Sequence, residues 1–191
     1  MAEPRERLFI GVPLPESLKE HVRGAQEALP RMNGLRLLSE AQWHVTLAFL
    51  GAVDEETGRV VRKIVEGVPH GMGGGAWLEG FLMLPSATKA RVVTLAIEDD
   101  IGVFARLFET VMTSLETAGV MQREKRPYRP HLTIARLRVP GPVGPRSDIE
   151  RVRFAVESVC LYKSELRREG AIYTVLARRA LDGGSREKVE A

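Results

Sequence analysis

The sequence predicts an α+β fold in which antiparallel sheets are flanked by helices. Segments rich in apolar and β-branched residues, typical of strands, alternate with segments whose apolar residues recur at helical spacing. The helices interrupt the strand pairs too irregularly for a doubly wound parallel sheet. A chain of 191 residues with 44% hydrophobic residues is long enough to close a sizeable core. We expect a single domain over residues 1–181 and a polar, flexible tail over residues 182–191.

Helices are predicted where apolar residues lie three or four positions apart. They are Pro15–Leu29, a segment that Asp54 caps, and Asp100–Ala118, which Gly119 ends. Besides two histidine-containing strands, strands are predicted at Leu8–Val12, Leu78–Leu84, Arg91–Ile97, Val152–Tyr162 and Ala171–Ala177. The glycine-rich segment Gly71–Gly75 is predicted to be a linker, and Val139–Ser147, rich in proline, a surface loop.

Composition narrows the classes of function that the chain can have. The formal net charge of +3 is too small for a protein that coats nucleic acid by bulk electrostatics. Cys160 is the only cysteine, which excludes an internal disulfide and leaves too few thiols for a structural zinc or iron–sulfur site. No apolar run approaches the ~20 residues that cross a bilayer, and Met1–Arg7 is charged. We expect a soluble, cytoplasmic protein that does not associate with membranes.

The chain contains one pattern, His-x-Thr-(Leu/Ile)-Ala-x-Leu, at two places. It occurs at His44–Leu50 and, 87 positions later (131 − 44), at His131–Leu137. The match suggests an internal duplication. Both copies are predicted to be strands, in which residues two apart share a face. The polar faces are predicted to hold His44, Thr46 and Ala48 in the first copy, and His131, Thr133 and Ala135 in the second.

Two convergent imidazoles can act as acid and base in one turnover, because the unperturbed pKa of histidine is about 6.5. Hydrolysis of a phosphodiester needs one group to activate water, another to protonate the leaving alkoxide, and donors for the phosphoryl oxygens. Neither motif contains a carboxylate, and two histidines make an incomplete zinc site. We therefore expect phosphodiester chemistry without a metal or cofactor. The other two histidines, His21 and His70, are predicted to be bystanders on a helix flank and in a loop.

The doubled motif, within Trp43–Gly51 and Tyr128–Arg136, resembles the 2H phosphoesterase superfamily. The match is closest to its RNA 2′,3′-cyclic phosphodiesterases, also called 2′-5′ RNA ligases. Arg7–Ile10 with Leu14-Pro15 resembles the opening strand and turn of that family, and Leu161–Leu166 with Gly170 and Tyr173 resembles its closing hairpin. The resemblance implies two pseudo-symmetric lobes, each an antiparallel sheet flanked by helices, with the active-site cleft between them.

The resemblance also implies an activity and roles for individual residues. The reaction opens RNA 2′,3′-cyclic phosphate ends to 2′-phosphomonoesters, and family members also form or cleave 2′-5′ linkages in RNA. His44 would be the proton donor to the leaving 3′ oxygen, and His131 the proton acceptor that activates water. Thr46 and Thr133 would bind the phosphoryl oxygens, and Arg136 is a candidate phosphate or RNA contact. The implied partner is RNA with 2′,3′-cyclic phosphate ends, bound by a monomer without an obligate protein partner.

Several questions stay open at the level of sequence. Strict alternation puts Arg136 on the apolar face, so that it needs a bulge or a strand end to reach the cleft. Phe49 occupies the equivalent position in the first copy and is expected in the core, although it could stack a base. A basic cluster forms either a solvated turn or an RNA-backbone track; it consists of Arg123, Lys125, Arg126 and Arg129.

Two other functions remain as alternatives. One is a different 2H phosphoesterase activity, on a small cyclic nucleotide phosphate. The other is a non-catalytic RNA-binding module that retains the cleft.

Overall fold

The computed structural model describes residues 5–99, 101–167 and 170–182, and it has the α+β class that the sequence predicts. The strands are β1 Glu6–Pro13, β2 Leu35–Leu37, β3 His44–Val53, β4 Gly74–Leu84, β5 Ala90–Glu98, β6 His131–Gly141, β7 Val152–Val156, β8 Ser158–Arg167 and β9 Gly170–Ala180. The helices are α1 Lys19–Glu27, α2 Glu55–Glu66 and α3 Val103–Thr117, and short 3₁₀ turns occupy Glu16–Leu18, Glu40–Gln42 and His70–Met72. None of these helices has the length and apolarity to span a membrane.

The strands form an antiparallel sheet with the order β7-β4-β5-β6-β3-β1-β8-β9, and β2 pairs with β6 beside this path. Two groups of strands meet between β3 and β6, where Val45 and Leu132 form a single registered pair. The two groups contain the same unit. In each, a strand that begins with a motif histidine pairs with an earlier strand, and a helix lies between the two along the chain: β1-α1-β3 in one group and β5-α3-β6 in the other. This repetition agrees with the pseudo-symmetry that the family resemblance implies.

The helices and the sheet enclose the main hydrophobic core. Helix α3 contributes a fully buried stripe at helical spacing, consisting of Val103, Phe104, Leu107, Val111, Met112 and Leu115. A second, smaller cluster contains Phe9, Cys160 and Tyr162 and is separate from the main core. On β1 the side chains alternate between the two clusters, because Leu8 and Ile10 belong to the main core and Phe9 to the smaller one. The face of the sheet opposite the main core is therefore aromatic at β1 and β8.

Several predicted boundaries differ from the structure for local reasons. Helix α1 begins at Lys19 after the 3₁₀ turn, not at Pro15. Helix α3 begins at Val103 because Gly102 adopts a left-handed conformation (φ 66°) and the Asp99 carboxylate accepts the Phe104 N–H at 3.1 Å. The single strand predicted over Val152–Tyr162 is two strands, since β7 pairs with β4 whereas β8 pairs with β1 and β9.

The glycine-rich segment is not simply a linker, because Gly74 and Gly75 belong to β4 and pair with Val156 and Ala155. Close packing explains the small residues: a Cβ on Gly74 would lie 2.6 Å from a methyl carbon of Val103. The surface loop predicted from Val139 begins later, since β6 continues to Gly141. Residues 183–191 of the predicted tail lie outside the described residues.

We predict that Asp54→Ala lowers the free energy of unfolding by about 1 kcal/mol, because an N-cap acceptor is lost. The Asp54 carboxylate accepts the Thr57 N–H at 2.8 Å at the start of α2. Urea unfolding measures the change. Asp54→Asn keeps an acceptor and serves as the control; equal losses in the two variants would contradict a capping role.

Candidate active site

The two motif strands carry the same irregularity at the same place. On β3, Ala48 pairs with Ile10 and Thr46 pairs with Gly11, so that Leu47 is an extra residue with no partner on β1. On β6, Ala135 pairs with Val93 and Thr133 with Thr94, so that Ile134 is the extra residue relative to β5. A β-bulge of this kind reverses the alternation of side chains beyond it. Both strands consequently show the same burial pattern over their first six residues: the second, fourth and fifth residues are buried and the sixth is exposed.

The bulges overturn the strict alternation that the sequence predicts for both copies. Ala48 and Ala135 are buried in the core instead of sharing the polar face with the histidines. Phe49, which we expected in the core, is 54% exposed, and Arg136 is also exposed. Phe49 and Arg136 therefore lie on the face of the histidines, at equivalent positions of the two motif strands. The bulge that Arg136 requires to reach the cleft is present.

The junction between the two strands brings the motif residues together. Because β3 and β6 are antiparallel and Val45 pairs with Leu132, the register carries His44 beside Thr133 and Thr46 beside His131. These four side chains share one face, opposite the buried Val45 and Leu132. Each histidine therefore has the threonine of the other copy as its cross-strand neighbour.

Both imidazoles are held in the same tautomer. The Nδ1 atom of His44 lies 2.8 Å from the Gln42 carbonyl oxygen, and the Nδ1 atom of His131 lies 2.8 Å from the Arg129 carbonyl oxygen. A carbonyl oxygen only accepts hydrogen bonds, so Nδ1 carries the proton in each ring. The Nε2 atom of each neutral histidine is left as an acceptor, available to take a proton from a bound group or to return one.

His44 is packed among aromatic rings. Its ring centroid lies 4.6 Å from that of Phe9, 5.2 Å from Tyr173 and 5.8 Å from Tyr162. Burial there lowers the pKa of His44 to about 4. The hydrogen bond to Gln42 opposes this effect, and the positive charge of Arg136 adds to it. His44 is consequently neutral at pH 7 in the free protein.

His131 lies beside a largely apolar cavity of about 390 Å³. The Tyr128 ring stacks on Phe108 with a centroid distance of 4.2 Å, and its hydroxyl donates to the Thr46 carbonyl at 3.1 Å. Burial raises the pKa of Tyr128, which keeps this hydroxyl protonated as a donor. Tyr128 thus ties the segment before β6 to the motif strand of the other group.

The basic cluster, expected to be either a solvated turn or an RNA-backbone track, is divided by ion pairing. Arg123 lies 2.8 Å from a Glu109 carboxylate oxygen and 3.1 Å from one of Glu116, which neutralises it. Arg126 and Arg129 line the cavity beside His131 and remain close to the site. The basic cluster is therefore not one continuous cationic surface.

The other two histidines lie away from the junction. His21 lies on α1, and His70 lies in a 3₁₀ turn with its Nδ1 atom 3.7 Å from an Asp182 carboxylate oxygen. Over the described residues, no three His, Cys, Asp or Glu side chains are grouped as metal ligands.

Sequence reasoning missed the aromatic surroundings of His44. Tyr162 and Tyr173 entered only as part of the closing hairpin, and Phe9 only as part of the first strand. The aromatic rings of β1, β8 and β9 meet His44 solely through strand pairing that is distant in sequence. The Phe9–Tyr162 pairing across β1 and β8 is one such contact, with centroids 4.8 Å apart.

Comparison with known proteins gives a family match over most of the chain. The model of the 2′-5′ RNA ligase superfamily matches residues 14–168. A protein of Methanocaldococcus jannaschii named RNA 2′,3′-cyclic phosphodiesterase is 27% identical over 177 residues, with 89% of this chain and 98% of that protein covered. A Bacillus subtilis protein of the same name is 30% identical over 137 residues, covering 71% of this chain and 74% of that protein.

Solved structures agree with the fold. A crystal structure of a Thermus thermophilus protein superposes with a TM-score of 0.78 at 29% identity, covering 93% of this chain and 98% of that one. Apo LigT of Escherichia coli superposes with a TM-score of 0.77 at 24% identity, covering 94% of this chain and 99% of LigT.

We predict that His44 in the free protein titrates at about pH 4. In the unfolded chain a histidine protonates near pH 6.5, so the unfolded state binds more protons between these values. Folding stability should therefore fall as the pH drops from about 6.5 towards 4. Imidazole ¹⁵N shifts, assigned with a His44→Gln variant, report the midpoint directly. A His44 midpoint near 6.5 would contradict the effect of the aromatic packing.

Proposed function

Since the chain belongs to the 2′-5′ RNA ligase superfamily, we propose that it is an RNA 2′,3′-cyclic phosphodiesterase. The reaction converts the cyclic phosphate end of an RNA into a 2′-phosphomonoester and a free 3′ hydroxyl. One observation carries the proposal: two imidazoles of the same tautomer share a face, each beside the threonine of the other motif. The relatives named RNA 2′,3′-cyclic phosphodiesterase support the choice of substrate.

The two histidines take complementary roles in this proposal. His131 Nε2 removes a proton from water as the water oxygen attacks phosphorus, and the bond from phosphorus to the 3′ oxygen breaks. His44 Nε2 delivers a proton to that 3′ oxygen, so that it leaves as a hydroxyl. If the 5′ hydroxyl of a second RNA attacks phosphorus in place of water, the same two proton transfers give a 2′-5′ linkage and a free 3′ hydroxyl. The reverse steps, in which the acid and the base exchange roles, cleave that linkage and re-form the cyclic phosphate.

The low pKa of His44 suits the role of acid once substrate is bound. A bound phosphodiester carries negative charge next to the imidazole. This charge raises the His44 pKa and so favours protonation of Nε2. An imidazolium that is poorly solvated among Phe9, Tyr162 and Tyr173 then gives this proton up readily as the alkoxide develops. The negative charge of the substrate thus favours the protonated form of His44, and the aromatic surroundings make this protonated imidazole a strong acid.

The remaining groups on this face stabilise the phosphoryl oxygens. The hydroxyls of Thr46 and Thr133 are neutral donors at the cross-strand positions beside His131 and His44. Arg136 adds a permanent positive charge, and its effect on the pKa of His44 supports its closeness to the reacting centre. Together they provide charge stabilisation without a metal ion.

We predict that His44→Ala and His131→Ala each lower kcat about 10²- to 10⁴-fold on an oligonucleotide ending in a 2′,3′-cyclic phosphate, because each removes one proton-transfer step. Product analysis by chromatography separates 2′-phosphate from 3′-phosphate. His70→Ala, away from the junction, should keep the wild-type rate. Formation of 3′-phosphate, or normal turnover by either motif variant, would contradict the proposal; RNA binding without turnover by the wild type would favour the non-catalytic module.

We also predict that excess EDTA leaves the rate unchanged, because protein donors supply the charge stabilisation. Initial rates before and after dialysis against EDTA measure this. A rate that falls on dialysis and returns with Mg²⁺ or Zn²⁺ would show that a metal ion takes part.

A further inference from the structure

The largely apolar cavity of about 390 Å³ belongs to the His131 side of the candidate active site. His131 and Thr46, which are cross-strand neighbours, both line it. His44 does not line it, and neither do the described residues that contact the His44 ring through a hydrogen bond or ring packing, which are Phe9, Gln42, Tyr162 and Tyr173. The cavity therefore lies next to one histidine only.

The two sides of the proposed reaction centre receive different groups. In phosphoryl transfer the attacking and leaving oxygens lie roughly in line, on opposite sides of phosphorus. In the proposed mechanism His44 protonates the leaving 3′ oxygen, and His131 takes the proton of the attacking group. The attacking group therefore approaches from the side of His131, where this cavity lies.

The cavity is much larger than attack by water requires. A cavity of only about 10–15 Å³ holds a water molecule, whereas about 390 Å³ falls in the range of pockets for organic ligands. Its wall includes Leu84 of β4, Phe108 and Met112 of α3, and Met121. Leu84, Phe108 and Met121 are only partly buried, so that apolar surface faces the cavity. Such a wall suits the flat, weakly polar face of a nucleobase.

Positive charge accompanies the apolar wall. Arg126 and Arg129 line the cavity and are exposed, and neither side chain has a hydrogen bond or ion pair with a described residue. Glu124 lines the cavity as well, so that these three side chains carry a net charge of +1 (2 − 1). A guanidinium without a carboxylate partner is available to a phosphate, whose geometry matches its paired N–H donors.

We infer that this cavity binds the 5′-terminal nucleoside of a second RNA, whose 5′ hydroxyl attacks the cyclic phosphate in place of water. The base packs on the apolar wall, and the 5′ hydroxyl lies next to His131. Arg126 binds the phosphate on the 3′ side of that nucleoside. The inference rests on the proposed function, because it requires the cyclic phosphate to lie at the histidines.

The site gives ligation a binding step that hydrolysis does not need. His131 Nε2 removes the proton of the 5′ hydroxyl as the 5′ oxygen bonds to phosphorus. The bond from phosphorus to the 3′ oxygen breaks, and His44 Nε2 protonates that oxygen. The products are a 2′-5′ phosphodiester and a free 3′ hydroxyl. Water attacks along the same path when the cavity holds no nucleoside.

Competition between water and an acceptor tests the site. The protein is given an oligonucleotide that ends in a 2′,3′-cyclic phosphate, together with cytidine or cytidine 3′-phosphate as the acceptor, and chromatography separates the 2′-5′-linked product from the 2′-phosphate. We expect ligation to saturate as the acceptor concentration rises and hydrolysis to fall over the same range, because a bound nucleoside displaces the attacking water. Cytidine 3′-phosphate should reach half-saturation at a concentration about tenfold lower than cytidine, the gain typical of a charge-assisted contact.

Three variants locate the site. Arg126→Gln should lose the preference for cytidine 3′-phosphate. Lys125→Gln removes the same charge from the neighbouring position, which does not line the cavity, and should keep the preference. Met121→Trp fills the cavity and should lower ligation about tenfold with either acceptor. Hydrolysis in the absence of an acceptor should stay within about twofold of wild type in all three variants, which also shows that they fold.

The other outcomes separate the acceptor site from the proposed function. If the wild type hydrolyses the oligonucleotide but ligation is absent, or rises linearly without saturating, the acceptor site is wrong and the proposed function stands. The site is also overturned if Met121→Trp leaves ligation unchanged or lowers hydrolysis equally, and the role of Arg126 is overturned if Lys125→Gln loses the preference as well. If the wild type neither hydrolyses nor ligates, the proposed function fails, and the acceptor site fails with it.

Discussion

One extra residue in each of two strands is the constraint on which the candidate site depends. Leu47 and Ile134 have no partner on the preceding strand, and each forces the chain beyond it to exchange faces. Without the bulges, Phe49 and Arg136 would point into the core, where an unpaired guanidinium is prohibitively costly. With them, the strands keep two buried residues in succession and still present an outward side chain next to the histidine and threonine.

The duplication supplies identical chemistry, and the packing then makes the two copies different. Both imidazoles donate Nδ1–H to the carbonyl two residues earlier, so both expose the same nitrogen. Only His44 is surrounded by Phe9, Tyr162 and Tyr173, and its pKa falls in consequence. Different surroundings for two otherwise equivalent groups suit the proposed division into one acid and one base. The two copies of the motif thus supply the same chemical groups, and their different surroundings give the two histidines different environments.

Local charge, more than net charge, connects the fold with a nucleic-acid substrate. The chain carries only +3 overall, and Arg123, which looks like part of a basic track, is neutralised by Glu109 and Glu116. The direct pairing of Arg36 with Arg136 places two arginines on neighbouring strands beside the histidine face. These two residues are 100 positions apart (136 − 36), and a short strand, β2, brings them together. Strand pairing therefore sets the electrostatics of the site.

The sequence by itself determined the α+β class, the order of most elements, and the His-x-Thr pairs. These features depend on local periodicity and on the residue types of a seven-residue motif. It left Phe49 and Arg136 on the wrong face and merged β7 and β8 into one strand. It also gave no sign that aromatic rings from β1, β8 and β9 surround His44. Only the tertiary structure decided these points, since a bulge is defined by the strand opposite, and burial by segments that are distant along the chain. The residue pattern of one strand does not indicate which strand pairs with it.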